Sequence, residues 1–205
     1  MELMLQWRGP IGPGLFPESG DELAALSAPG IYLRIKRYDG GDTAPRTVSY
    51  VGQSKQLIVR FDQHLRDILT FSSLLRDDTG TIALGRDSAN RFQAYNAIGD
   101  VMALVTAEAA RLRFYWAFCE DGFDVAYLNL IEGALKSRLE SRAGHGDAFA
   151  CENRQGIGDG AFDEDIVVFN VFDALDAGDA TMLGDLVGTD PIHLTVPLAE
   201  LHHVE

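Results

Sequence analysis

Pro29-Gly30-Ile31-Tyr32-Leu33-Arg34-Ile35-Lys36-Arg37-Tyr38 and, beyond the turn Asp39-Gly40-Gly41-Asp42, Thr47-Val48-Ser49-Tyr50-Val51-Gly52 read as two antiparallel strands joined by a long tip. Pro-Gly punctuates the chain ahead of the first run. Both runs are rich in the β-branched and aromatic residues that suit a pleated surface. The period-2 rule places Tyr32, Arg34 and Lys36 on one face of the first strand, and Val48, Tyr50 and Gly52 on one face of the second. A strand face carrying Tyr, Arg and Lys reads as lying outside the core.

Downstream the period changes. Leu57, Ile58, Phe61, Leu65, Ile68 and Leu69 recur at helical spacing behind a candidate N-cap, Ser54, and predict an amphipathic helix. Asp77–Asp87 breaks regularity, and residues 91–110 return to an alanine-rich helical pattern. Arg111–Cys119 alternates as a strand with one buried face, Leu112, Phe114, Trp116 and Phe118 opposing Arg111, Arg113, Tyr115 and Ala117. Asp124 to about Arg142 then reads as a helix with Leu128, Ile131, Leu135 and Leu139 along one side. Upstream lie a Gly/Pro-rich opening, Gly9 to Gly14, and a short helix at Asp21–Leu26.

The chain has 205 residues, of which 46% are hydrophobic and 23% charged, enough for a folded core. No apolar run reaches the roughly 18 residues of a membrane helix, and Met1-Glu2-Leu3 lacks the basic start of a secretory signal, so the reading is a soluble, cytoplasmic protein. Two cysteines, Cys119 and Cys151, are too few for a disulfide framework and read as buried free thiols. The net charge of −14 is unevenly spread: all 17 Lys and Arg lie at or before Arg154, while residues 155–205 carry 11 acids and no base. That acidic part includes Ile166–Phe172 and Ile192–Leu198, which are apolar enough to pack, and is expected to be folded.

The polar residues at positions where packing favours apolar ones carry the chemistry. Glu132 stands four residues after Leu128 and three before Leu135, within its helix's apolar stripe, so it needs a cation, a donor network or a metal. A salt-bridged core glutamate is the alternative. Arg60 and His64, one turn apart among Leu57, Phe61 and Ile68, make a phosphate clamp and proton-relay pair, or a structural histidine beside a surface arginine.

Taken in order, Gly30-Ile31-Tyr32, Tyr50-Val51-Gly52, Arg60 with His64 on the next helix, and Glu132 on a later one resemble the GIY-YIG nuclease family over residues 23 to 154. The resemblance implies an α+β fold with a small three-stranded antiparallel sheet flanked by helices, to which this chain would add an inserted helical segment (about 70–110) and a folded acidic C-terminal extension. Within a single domain, residues 1–28 would be an N-terminal extension, 29–154 the nuclease core and 155–205 the acidic extension.

The implied activity is metal-dependent hydrolysis of DNA phosphodiesters, in restriction, defence or repair. Glu132 would hold Mg²⁺ or Mn²⁺ and Arg60 would steady the scissile phosphate. Tyr32 would deprotonate water, with His64 taking up or tuning its proton, and Tyr50 would orient water or phosphate. The family's Asn after the glutamate helix falls on Asn153, with Asn170 as runner-up. Arg34, Lys36, Lys55, Arg86 and Arg91 would contact DNA, and a homodimer could supply specificity. The alternative is a catalytically silent module of the same fold that binds a basic protein partner through its acidic C-terminal part.

Overall fold

A computed structural model of the chain describes residues 2–40, 46–85, 92, 93, 96, 98–118, 125–143, 149–152 and 166–194. In order, its elements are β1 (Glu2–Ile11), α1 (Gly20–Leu26), β2 (Gly30–Arg37), β3 (Thr47–Ser54), α2 (Leu57–Leu69), β4 (Leu75–Arg76) and β5 (Ile82–Leu84). These are followed by α3 (Ile98–Ala110), β6 (Arg113–Phe118), α4 (Val125–Ala143), β7 (Phe149–Cys151), β8 (Ile166–Val171), α5 (Ala177–Val187) and β9 (Ile192–Leu194).

The expected small three-stranded antiparallel sheet is not what the chain builds. β2, β3 and β6 lie inside a mixed seven-stranded sheet of order β7-β3-β2-β6-β1-β8-β9, in which β1 runs parallel to β8 and β3 parallel to β7. The residues that change the answer stand at the two ends of the sequence. Glu2–Ile11 alternates, with Leu3, Leu5 and Trp7 buried and Glu2 and Met4 exposed, so it forms an inner strand rather than an extension. Ile166–Val171 pairs with it residue for residue, which brings part of the acidic region into the sheet. The inserted segment is not purely helical either, because β4 and β5 form a two-stranded antiparallel sheet ahead of α3.

Each sheet face carries its own core. One holds Leu3, Leu5, Trp7, Ile31, Leu33, Ile35, Val51, Tyr115 and Ala117, packed under α4 and α5. The other holds Ile11, Tyr32, Phe114 and Trp116 under Leu57, Phe61 and Ile68 of α2 and Val101 and Val105 of α3. Two expectations fail for this reason. β6 is buried on both faces rather than one, and the Tyr32, Arg34, Lys36 face of β2 is core: these residues are 0, 3 and 1% exposed. With helices on both sides, alternation in β2 and β6 no longer separates a wet face from a dry one. Ser54 is not the cap of α2. The N-cap is Gln56, with no side-chain bond to the helix, and Ser54 bonds Gln56 just ahead of it.

Candidate active site

The two motif glycines are set by close approach. A Cβ on Gly30 would overlap the Ala117 carbonyl oxygen of β6 and stand 2.9 Å from Leu57 Cδ1. A Cβ on Gly52, which pairs with Tyr32 across the strands, would overlap the Tyr32 hydroxyl and stand 2.8 Å from its Cε1. The missing side chain at position 52 is the space into which the Tyr32 phenol lies. Phe114 stacks on the same ring at 4.7 Å between centroids, and Tyr50 stacks on it at 6.0 Å.

Helix α2 supplies the next pair. Its buried stripe of Leu57, Phe61, His64 and Ile68 turns Arg60 and His64 toward the phenols, at the i, i+4 spacing that puts them on one face. Arg60 Nε donates to Tyr32 Oη at 2.9 Å, and Arg60 also bonds Tyr50. Burial disfavours the charge on Arg60 but the two phenols favour it more, so its pKa stands above the ordinary value. His64 Nδ1 lies 3.3 Å from Arg34 Nη1, and Nε2 lies 3.0 Å from Tyr32 Oη. A guanidinium can only donate, so Nδ1 accepts, the ring proton sits on Nε2, and Nε2 donates to the phenol. Burial, then the charges of Arg34, Arg60 and Lys36, push the His64 pKa down to about 2. His64 is therefore a neutral donor, and in this tautomer Nε2 cannot take up the Tyr32 proton. Burial, with help from Tyr50, pushes the Tyr32 pKa well above its usual 10, against the opposing pull of Arg60 and Arg34.

Glu132 stands on α4, which packs on the opposite sheet face from Tyr32 and α2. α4 packs on β3, and Asn129 and Glu132, three residues apart, both meet Gln53: the Gln53 amide donates to Asn129 Oδ1 and is bonded to the Glu132 carboxylate. Burial raises the Glu132 pKa, while Gln53, Arg60 and Lys136 pull it down. Of these three, Arg60 is the one that also meets Tyr32. Among the described residues part of the β3 edge is uncovered. Among the described residues, β7 pairs only with Thr47–Ser49, which leaves Tyr50–Ser54 without an outer strand. Tyr50, Arg60 and Glu132 are each partly exposed there, with Tyr32 and His64 buried behind them.

The expected DNA contacts divide sharply. Arg34 and Lys36 are not at the surface. Arg34 pairs with Glu152 at 2.5 Å, and Glu152 also meets Arg76 at 3.4 Å. Lys36 pairs with Glu108 at 2.6 Å, and the Tyr38 hydroxyl donates to the same carboxylate at 2.9 Å. These arginine and lysine charges are spent on internal acids, and phosphate contact by them is withdrawn. Lys55 is exposed between β3 and α2, next to the open edge. Arg86, Arg91, Asn153 and Cys119 lie outside the described residues. Asn170 is structural: it accepts from Trp7 Nε1 at 2.9 Å and donates to the Gly188 carbonyl at 3.1 Å. The sequence reading missed Glu152 and Glu108 as partners of the β2 cations, and Gln53 as the anchor of Glu132.

Glu132 is the one carboxylate of the cluster, and among the described residues no group of three or more His, Cys, Asp or Glu is placed to hold a metal. A single, half-buried carboxylate fits Mg²⁺, which keeps several waters and takes substrate oxygens as ligands. It does not fit zinc, which asks for three or four protein ligands. Among the described residues no helix is long and apolar enough to cross a membrane. No protein-family model, no curated protein and no solved structure matches this chain.

Proposed function

We propose that the chain is a phosphodiester hydrolase acting on DNA, an endonuclease resembling the GIY-YIG family in its site though not in the size of its sheet. The observation that carries this reading is the group around Tyr32, where Arg60 Nε and His64 Nε2 both meet one phenol and Tyr50 stacks on its ring. Phosphodiester hydrolysis builds negative charge on the phosphoryl oxygens and the leaving oxygen. A divalent ion at Glu132, Mg²⁺ or Mn²⁺, would neutralise part of that charge and lower the pKa of bound water.

The chain's own residues do the rest. Arg60, partly exposed and fixed by Tyr32 and Tyr50, offers its remaining N–H groups to phosphate oxygens in a preset orientation. Tyr32 Oη receives N–H bonds from Arg60 Nε and His64 Nε2, two donors that favour the phenolate form against the cost of burial. Arg34, anchored by Glu152, holds the His64 tautomer in which that second bond is donated. Tyr50 stands at the mouth, stacked on Tyr32 and beneath the Arg34 guanidinium, whose carbon is 5.1 Å from its ring centre. Lys55 supplies an exposed cation beside the same edge.

One observation favours the silent-module reading instead: Tyr32 is fully enclosed and its phenol is held neutral more firmly than a free one. Incubation of supercoiled plasmid with Mg²⁺ or Mn²⁺ decides between the two. The hydrolase reading expects nicked and linear DNA from the wild type, with the rate down at least a hundredfold in Glu132→Gln and Arg60→Ala. Equal cleavage by all three preparations, or none by the wild type with either metal, refutes it.

A further inference from the structure

On the same sheet face as Tyr32, two strands away, is a cavity of about 260 Å³ among the end of β1, the 12–17 loop, α1 and β6. Arg8, Trp116 and Tyr32 form a row across β1, β6 and β2, because Trp116 pairs with Arg8 on one side and with Tyr32 on the other. At about 4.8 Å per strand step, Arg8 stands roughly 10 Å from Tyr32, about three base steps of B-form DNA.

Two donors in this cavity's wall lack acceptors. Trp116 Nε1 and Arg8 Nε are both buried atoms without a hydrogen-bond partner among the described residues, and Arg8 joins no ion pair there. Buried donors are normally paired, so two orphans on residues that line one cavity point to an absent acceptor. The Arg8 guanidinium is held over Phe118 at 4.9 Å and Trp116 at 5.9 Å from the ring centres. Other parts of the wall want something different. Leu15 and Phe16 present apolar surface that is 44 and 47% exposed, and the Glu22 carboxylate, which accepts from Ser19 Oγ at 3.2 Å through Oε2, can take a further donor on Oε1.

A bare phosphate would satisfy Arg8 but face Glu22 and waste the apolar wall. A purely apolar ligand would seal the two donors away from any acceptor. A planar heterocycle with acceptors on one edge and donors on another meets every requirement at once, and the volume suits a ligand below drug size. Among the bases, guanine offers O6 and N7 to an arginine and its amino group to a carboxylate. We propose that this cavity binds a single unstacked guanine base. That a DNA strand delivers this base past Tyr32 rests on the nuclease reading; the pocket's choice of base does not.

The test titrates guanosine monophosphate into the protein and follows Trp116 fluorescence, since the other tryptophan, Trp7, lies on the opposite sheet face. Adenosine and cytidine monophosphates and inorganic phosphate are titrated in parallel. Saturable quenching is expected, at least tenfold tighter for the guanine nucleotide than for the others. Arg8→Gln and Phe16→Ala, both at partly exposed positions and checked for folding by circular dichroism, should each weaken it at least fivefold. Glu22→Gln should narrow the preference for guanine. Equal affinity for inorganic phosphate, or no change in Arg8→Gln and Phe16→Ala, overturns the proposal, as does the absence of saturable quenching. Plasmid cleavage measured on the same preparations separates the two readings. Guanine binding without cleavage refutes the nuclease reading alone, and cleavage without guanine binding refutes the pocket alone.

Discussion

Replacing Gly52 with alanine tests the packing that brings the two tyrosine motifs together. The added methyl would overlap Tyr32 Oη and Cζ and lie 2.8 Å from Cε1, whereas carbon atoms in contact rest at about 3.5–4.0 Å. The ring must therefore move by close to 1 Å. It has no space in which to do so, because Tyr32 is fully buried and Phe114 stacks on it at 4.7 Å. The movement strains the core by about 1–3 kcal/mol and weakens the bonds from Arg60 and His64, at about 1 kcal/mol each. The sum, about 3–5 kcal/mol, corresponds to a melting temperature lower by about 6–20 °C in a domain of this size. Urea denaturation followed by tryptophan fluorescence measures it. Gly99→Ala in α3 is the control: no atom lies within 4 Å of the new methyl, and alanine is favoured over glycine in a helix by about 0.5–1 kcal/mol. Adding Tyr32→Phe to Gly52→Ala removes the nearest clashing atom, so the double variant should be more stable than the sum of the two single effects. A Gly52→Ala protein within 0.5 kcal/mol of wild type, or strictly additive variants, would refute the argument.

Glu108→Ala leaves Lys36 charged and unpaired in a site where both partners are at most 1% exposed, and should cost about 3–5 kcal/mol in denaturant melts. Lys36→Met with Glu108→Leu should recover most of that loss; a double variant as unstable as the single would count against the pair being the cause. The pKa of His64 is depressed on folding, so the unfolded chain binds its proton first and stability falls as pH drops below about 6.5. Between pH 6.5 and 4.5 this amounts to about 2–3 kcal/mol, which His64→Gln should remove from the pH profile of stability; parallel profiles would show that His64 protonates normally in the folded state. The same depression means that DNA cleavage should have no inflection near pH 6.5, and a wild-type inflection there that vanishes in His64→Gln would contradict the neutral-donor role.

The parts of this structure that rest on local period were legible in the sequence. The stripe of Leu57, Phe61 and Ile68 and that of Leu128, Ile131, Leu135 and Leu139 gave α2 and α4, and alternation gave β2 and β3. So did the spacing that turns Arg60 and His64 to one side of α2. What was not legible depends on partners far away in the chain. Arg34 and Lys36 looked like surface cations because their acids, Glu152 and Glu108, stand 118 and 72 residues distant. The sheet was expected to be three-stranded because the family resemblance implies it, and the alternation of Leu3, Leu5 and Trp7 was not read as a strand. The parallel pairing of β1 with β8 joins segments more than 150 residues apart, and no local signal announces it. Glu132 was found because a carboxylate in an apolar stripe violates packing. Its anchor Gln53 broke no rule and stayed hidden.

In the proposed hydrolase, Glu132 would hold the metal that serves a phosphate gripped by Arg60. Anomalous diffraction from crystals grown with Mn²⁺ and an oligonucleotide that resists cleavage addresses it most directly. A manganese peak is expected about 2.1 Å from a Glu132 carboxylate oxygen, sharing a phosphate oxygen with the strand whose phosphate Arg60 contacts. Manganese bound elsewhere, or DNA lying away from the Tyr50–Ser54 edge, would contradict it.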